Sequence, residues 1–185
     1  MIRLLSALFL GLALTLAAAP SDAKEAHGVT LADSASVGGK SLILNGTGLR
    51  SVLFIKVYVL GFYTEKSVTS ESAALASGSW KVRLHFLRGL EPQKITDGIQ
   101  DGFERNSAAS IGALQGRLDT FKTFFTKAAK GDVVDLDWNG SGTAVTVNGA
   151  SKGTVDGKDF ADALLRVWVG GDPVQQDMKD GMLAQ

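Results

Sequence analysis

The chain contains no cysteine, which excludes thiol catalysis, cysteine-ligated metals and disulfides together. Its two histidines, His27 and His85, lie far apart in the sequence, so there is no HExxH and no histidine pair at helical ligand spacing. Neither sign of charge is in surplus, with 19 Lys and Arg against 19 Asp and Glu. That balance argues against nucleic acid as a partner, because such binders carry a clustered basic excess. Glycine is plentiful, yet neither GxGxxG nor GxxxxGK occurs, so no phosphate loop is expected. No cofactor and no metal is called for by any of these patterns.

The one long apolar run is at the start. Met1-Ile2-Arg3 precedes an apolar stretch from Leu4 to Ala19 that ends in small residues, the pattern of a secretory signal. The run is short for a membrane span, so the mature chain is expected to have no integral membrane segment. Cleavage after Ala19 would leave Pro20 beside the scissile bond, and a cut after Ala23 is preferred. Residues 1–23 are then a signal peptide and 24–185 a single domain, large enough to bury roughly 70% of its unfolded surface without a staple. An exported chain free of cysteine suits a bacterial periplasm, which permits disulfides without requiring them.

Beyond the leader, Lys24 to Gly39 is small and polar, an N-terminal arm with a short strand at Val29 to Leu31. A strand from Lys40 to Leu44 leads to Asn45-Gly46-Thr47-Gly48, which predicts a turn. Val52 to Tyr63 is apolar in both alternation sets, as in a strand covered on both faces. Ser67 to Ser77 predicts a short helix, and Trp80 to Phe86 a strand with one buried face and a wetter one bearing Lys81, Arg83 and His85.

Pro92 opens a helix whose stripe is Ile95, Ile99 and Phe103, with Gly98 and Gly102 beside it for a close neighbour. A longer helix follows, marked by Ile111, Leu114, Leu118, Phe121 and Phe125. Val133 to Val155 predicts a three-stranded meander around the Asn148-Gly149 hairpin pair. Phe160 to Trp168 gives another amphipathic helix, and Val174, Met178 and Met182 a last one. Strands, helices, strands and helices without βαβ alternation describe an α+β domain with an antiparallel sheet.

Two residues stand out as chemistry. Arg50 follows the glycine pair at the entrance to an apolar strand, where its planar fork can grip a carboxylate or phenolate. Tyr58 interrupts the same strand with a phenol that needs a partner once buried. Each also fits a plainer role, Arg50 as half of an internal ion pair or a side chain pointing to water, and Tyr58 as a core tyrosine whose hydroxyl reaches a backbone carbonyl. His85 reads as a boundary residue. Asp132, Asp135 and Asp137 resemble a metal set, but Asp135 and Asp137 share one face of a predicted strand, which reads better as a solvated face.

The run L-N-G-T-G-L-R followed by K-V-Y-V-L-G-F-Y resembles the chalcone isomerase fold family, in which a G-x-G-[VL]-R segment leads into a strand ending G-x-Y. L-H-F-L-R-G-L-E-P-Q-K, the 149–155 hairpin and A-L-L-R-V-W-V-G-G-D-P-V agree with it. The resemblance spans Val29 to Leu183 and is nearest the exported bacterial chalcone isomerase-like group. It implies a chalcone isomerase fold, an antiparallel sheet packed against a layer of helices. In the plant enzymes the matching arginine binds the substrate phenolate, and Arg50 stands there. A strand threonine that polarises the ketone is matched by Tyr58, while the tyrosine and asparagine of the following helix have no counterpart in Gly89 to Ile99.

Fatty-acid-binding relatives hold a carboxylate with an arginine and a tyrosine, and Arg50 and Tyr58 resemble that pair. Phe54, Leu60 and Phe62, with the helix stripes, are expected to line a channel for the apolar tail. The resemblance thus implies a non-catalytic periplasmic binder of a small amphipathic carboxylate such as a fatty acid. An enone isomerase or intramolecular lyase, and a structural or interaction protein with no ligand, are the alternatives.

Overall fold

A computed structural model describes residues 23–183; the expected leader lies outside them except for Ala23. Two sheets are present, a two-stranded ribbon of β1 (Ala23–Ala26) and β2 (Val29–Ala32) and a seven-stranded sheet. The large sheet runs in sequence order: β3 (Ser34–Val37), β4 (Lys40–Val52), β5 (Ile55–Thr64), β6 (Trp80–Phe86), β7 (Val133–Trp138), β8 (Gly142–Val147) and β9 (Ala150–Asp156). Every neighbouring pair is antiparallel. Helices α1 (Glu71–Leu75), α2 (Pro92–Ser107), α3 (Ile111–Lys122), α4 (Lys158–Val169) and α5 (Gln176–Met182) complete the α+β domain.

The two apolar faces of β5 explain the layering. Leu60 and Phe62 point into the main core with the helix residues Phe103, Leu118, Phe121, Phe160 and Leu164. Val59, on the opposite parity, packs with Ala26, Val29 and Leu31 of the ribbon, and Tyr63 with Val37 and Leu42. The polar N-terminal stretch is therefore no free arm. Val29 and Leu31 are spaced by two and Ala26 is paired with Val29 across the ribbon, so that pairing β1 with β2 puts the three on one face, covering the outside of the sheet.

The glycine-rich segment departs from its expected turn. β4 runs unbroken through Asn45 to Gly48, and the chain reverses eight residues after Asn45, at Leu53 and Phe54, which take φ 47° and 68°. The strand expected from Val52 to Tyr63 is thus the tip and second arm of a hairpin. Asn45 is the extra residue of a bulge between Leu44 and Gly46. Its amide ties the strand to other elements, donating to the carbonyls of Val68 (2.9 Å) and Met182 (2.7 Å) and accepting from the Val68 N–H at 2.8 Å.

Gly46 and Gly48 serve close approach: a Cβ on Gly46 would collide with the carbonyl oxygens of Gly181 and Met182, and one on Gly48 with Met178. Helix α5 therefore lies directly on β4. The same logic holds at Gly102, where a Cβ would meet both methyls of Val167 and α2 crosses α4. Pro92 is the first residue of α2 and Asn148-Gly149 forms the β8–β9 reversal at φ 50° and 78°, as expected. Helix α3, by contrast, ends at Lys122, so that it is shorter than α2 and Phe125 lies beyond it, and the helix expected over 67–77 is confined to Glu71–Leu75.

Candidate functional site

Between the helix face of β5 and β6, helices α2 and α4, and the Arg88–Glu91 loop lies a cavity of about 710 Å³, a size ordinary for small-molecule sites. Leu84 and Phe86 form its sheet wall, Ile95 and Ile99 its α2 wall, and Val167 and Trp168 its α4 wall. Its mouth is charged and two-signed. Arg50, Arg88 and Lys94 border it together with Glu91, Asp97 and Asp101. Glu91 is engaged by Lys127 at 2.6 Å, and Asp97 accepts from Gln93 at 2.6 Å.

Arg50 and Tyr58 are directly paired across β4 and β5, so both side chains leave the same face of the sheet. Both line the cavity. Arg50 Nη1 donates to the Ser51 carbonyl at 2.8 Å and to Gln175 Oε1 at 3.1 Å. Both acceptors are neutral, and among the described residues no carboxylate pairs with Arg50. Gln175 holds the hairpin as well: its Oε1 accepts the Ser51 N–H at 2.9 Å and its Nε2 donates to the Leu49 carbonyl at 3.0 Å.

Tyr58 stacks edge-on against Phe86 with ring centroids 5.9 Å apart. Its phenolic oxygen accepts from Trp168 Nε1 at 3.1 Å. Since the indole can only donate, the phenol's own hydrogen is left for another acceptor. Burial raises the Tyr58 pKa, and the Trp168 bond and the Arg50 charge offset only part of that rise. The group is therefore a protonated donor at neutral pH and no base. An arginine without a counter-ion beside a donating phenol, at one end of an apolar cavity, is chemically a seat for one anionic oxygen pair.

The family model described as chalcone isomerase-like matches residues 23–184. The chain belongs to the chalcone isomerase-like family. Among solved structures, a fatty-acid binding protein of Arabidopsis thaliana matches with a TM-score of 0.66 and 16% identity, covering 88% of this chain and 96% of that one. No curated protein sequence gives a significant match. The likeness to the plant protein is one of fold, the same curled antiparallel sheet with its helices.

Within that fold, the two residues singled out in the sequence come together, while the expected channel wall does not. Phe54 sits fully exposed at the hairpin tip, and Leu60 and Phe62 are sealed in the core away from the cavity. The reason is the reversal at Leu53-Phe54, which ends the strand four residues before Tyr58. Trp168 and Gln175 were not visible as site residues, because one reads as part of a helix stripe and the other as a polar position in the last short helix after Pro173.

The aspartates need a correction too. Asp135 and Asp137 are not on a solvated face: Arg83 grips Asp135 bidentately at 2.7 and 2.8 Å, and the buried Lys81 lies 3.2 Å from Asp135 and donates to Asp137 at 3.1 Å. Register explains it, since Lys81 is paired with Asp137 and Arg83 with Asp135. Asp132 instead caps its own turn, accepting from the Ala129 N–H and from Asn148. His85 lies between Val59 and Val133 on β6 and does not line the cavity.

Proposed function

We propose that the protein is an exported, periplasmic binder of a small amphipathic carboxylate such as a fatty acid, and performs no chemistry on it. Arg50 supplies the charge and Tyr58 a hydrogen bond to the carboxylate, and the aliphatic tail lies along Leu84, Phe86, Ile95 and Ile99. The supporting observation is the pairing of an arginine that has only neutral acceptors with a phenol whose proton is uncommitted. Each buried methylene adds about 0.8 kcal/mol, so a tail binds without any reactive group. The apolar leader, residues 1–23, supports export.

The reading is tested on protein recovered from the periplasm of its host, by native mass spectrometry with lipid extraction and by displacement of a fluorescent fatty acid. An acyl ligand should co-purify, and Arg50→Ala should weaken binding by about 1.5–3 kcal/mol, the range of a hydrogen bond to a charged group. Protein free of acyl ligand, together with an Arg50→Ala variant that binds as well as the wild type, would sink it. Chalcone cyclisation abolished by Arg50→Ala would replace it with the isomerase reading.

A further inference from the structure

The β4–β5 hairpin tip is unusual in both backbone and chemistry. A two-residue turn with positive φ at both positions selects Asn and Gly, because a Cβ there crowds the following carbonyl. This one holds Leu53 and Phe54. Their strain is not offset by packing: Leu53 is 85% exposed and Phe54 101%, and the flanking Val52 and Ile55 are about half exposed. Four consecutive large apolar residues thus face outward on a hairpin whose turn chemistry would favour small polar ones.

The hairpin itself carries charge of one sign near its tip. Between Lys40, which pairs with Glu65 at the far end of β4, and Thr64 there is no Asp or Glu, while Arg50 and Lys56 flank the tip, in a chain whose overall charge is zero. Lys56 is exposed and follows the apolar quartet directly; it forms no ion pair among the described residues. A patch of four residues is small against the roughly 800 Å² per partner of a stable protein interface, and lysine is depleted in such interfaces. An apolar tip bordered by cations is instead complementary to an anionic lipid surface, where apolar side chains enter the headgroup boundary and lysines meet the phosphates.

We propose that the β4–β5 hairpin tip docks the protein on a lipid bilayer bearing anionic headgroups, with Leu53 and Phe54 inserted and Lys56 at the phosphate level. Val52, Leu53 and Ile55 also border the mouth of the cavity, so docking brings the hairpin side of that mouth, where Arg50 lies, towards the bilayer and leaves Glu91, Asp97 and Asp101 on the other side. The contact goes beyond ligand binding and does not depend on it.

The test is flotation of the protein, purified as its host processes it, with phosphatidylcholine vesicles made with and without phosphatidylglycerol. The wild type should float with the phosphatidylglycerol vesicles and be partly released by salt. Phe54→Gly should weaken that binding by roughly tenfold or more, since it deletes one large buried side chain. Its melting temperature should not fall, because glycine relieves the positive φ. Lys56→Glu should weaken binding to the anionic vesicles alone. Neither residue lines the cavity, so binding of a fluorescent fatty acid in vesicle-free solution, measured alongside, reports on the ligand site separately. The proposal is overturned if the wild type floats with neither vesicle, or if Phe54→Gly floats like the wild type. It is also overturned if Phe54→Gly acts only by dissociating a protein oligomer seen in sedimentation.

Discussion

Arg50 and Tyr58 face each other across one hairpin, yet each is anchored from a different helical segment: Arg50 by Gln175 at the start of α5, Tyr58 by Trp168 near the end of α4. The sheet sets their spacing and the helices set their aim. The geometry of the pair is therefore sensitive to Gln175, which does not line the cavity, and depends on α5 staying pressed to β4.

The indole–phenol bond is the first place to measure that dependence. Tyr58→Phe strands the Trp168 N–H in a buried position, which should destabilise the fold by about 1–3 kcal/mol. Removing both polar partners in Tyr58→Phe/Trp168→Phe should be milder than the sum of the single changes, with a coupling of about 0.5–1.5 kcal/mol in urea unfolding. Additive effects would show that the bond carries no energy of its own.

Gln175 tests positioning. Gln175→Ala removes the acceptor of Arg50 Nη1 and of the Ser51 N–H and the donor to Leu49. Stability should drop by about 1–2 kcal/mol. Affinity for a fluorescent fatty acid should fall as well, though less than in Arg50→Ala, since the charge remains while its aim is lost. A Gln175→Ala variant with wild-type affinity would mean that Arg50 is aimed by the strand alone.

The α+β class, the meander, the helix stripes and the Arg50–Tyr58 pair were legible because each is a local period or a residue type out of place in its surroundings. What was not legible depends on partners distant in sequence. Asn-Gly-Thr-Gly reads locally as a turn, but α5, more than 120 residues later, needs glycines to lie on β4, and Asn45 spends its amide on Val68 and Met182. Leu53-Phe54 carries no turn chemistry at all, so the true reversal was hidden inside an apolar run. The Lys81–Asp137 and Arg83–Asp135 pairs follow from the β6–β7 register, which no single-strand pattern contains.

Close approach at Gly46 gives a sharp contrast between two glycines. Gly46→Ala should destabilise by about 1–3 kcal/mol or more, the range of overpacking, because the new methyl meets the backbone of Gly181 and Met182, which cannot rotate away. Gly116→Ala, in the exposed face of α3 with open space around it, should stabilise by about 0.5–1 kcal/mol. Chemical denaturation of the two variants side by side decides it. Similar effects at both sites would mean that α5 does not press on β4.

The buried ladder on β6 and β7 should govern the acid limb of stability, with its two aspartates acting in opposite directions. Desolvation pushes Asp135 upward, but the Arg83 hydrogen bonds and the Lys81 charge outweigh it, and its pKa falls below the ordinary carboxylate value. Its contribution is present above the unfolded value of about 3.9 and is lost as pH falls through the lowered folded value. For Asp137 desolvation prevails over Lys81 and the pKa is raised; its contribution is complete below the unfolded value and is lost as pH rises through the folded one. Asp135→Asn should therefore cost about 3 kcal/mol near neutrality, as for a broken buried pair, and flatten the fall below about pH 4. Asp137→Asn keeps Arg83 and Lys81 paired with Asp135 and should cost much less. Without the opposing gain from Asp137 protonation, its stability should fall more steeply on acidification than that of the wild type. Melting temperatures of the three proteins from neutral to acid pH check both signs, and parallel curves would show that neither carboxylate is linked to folding.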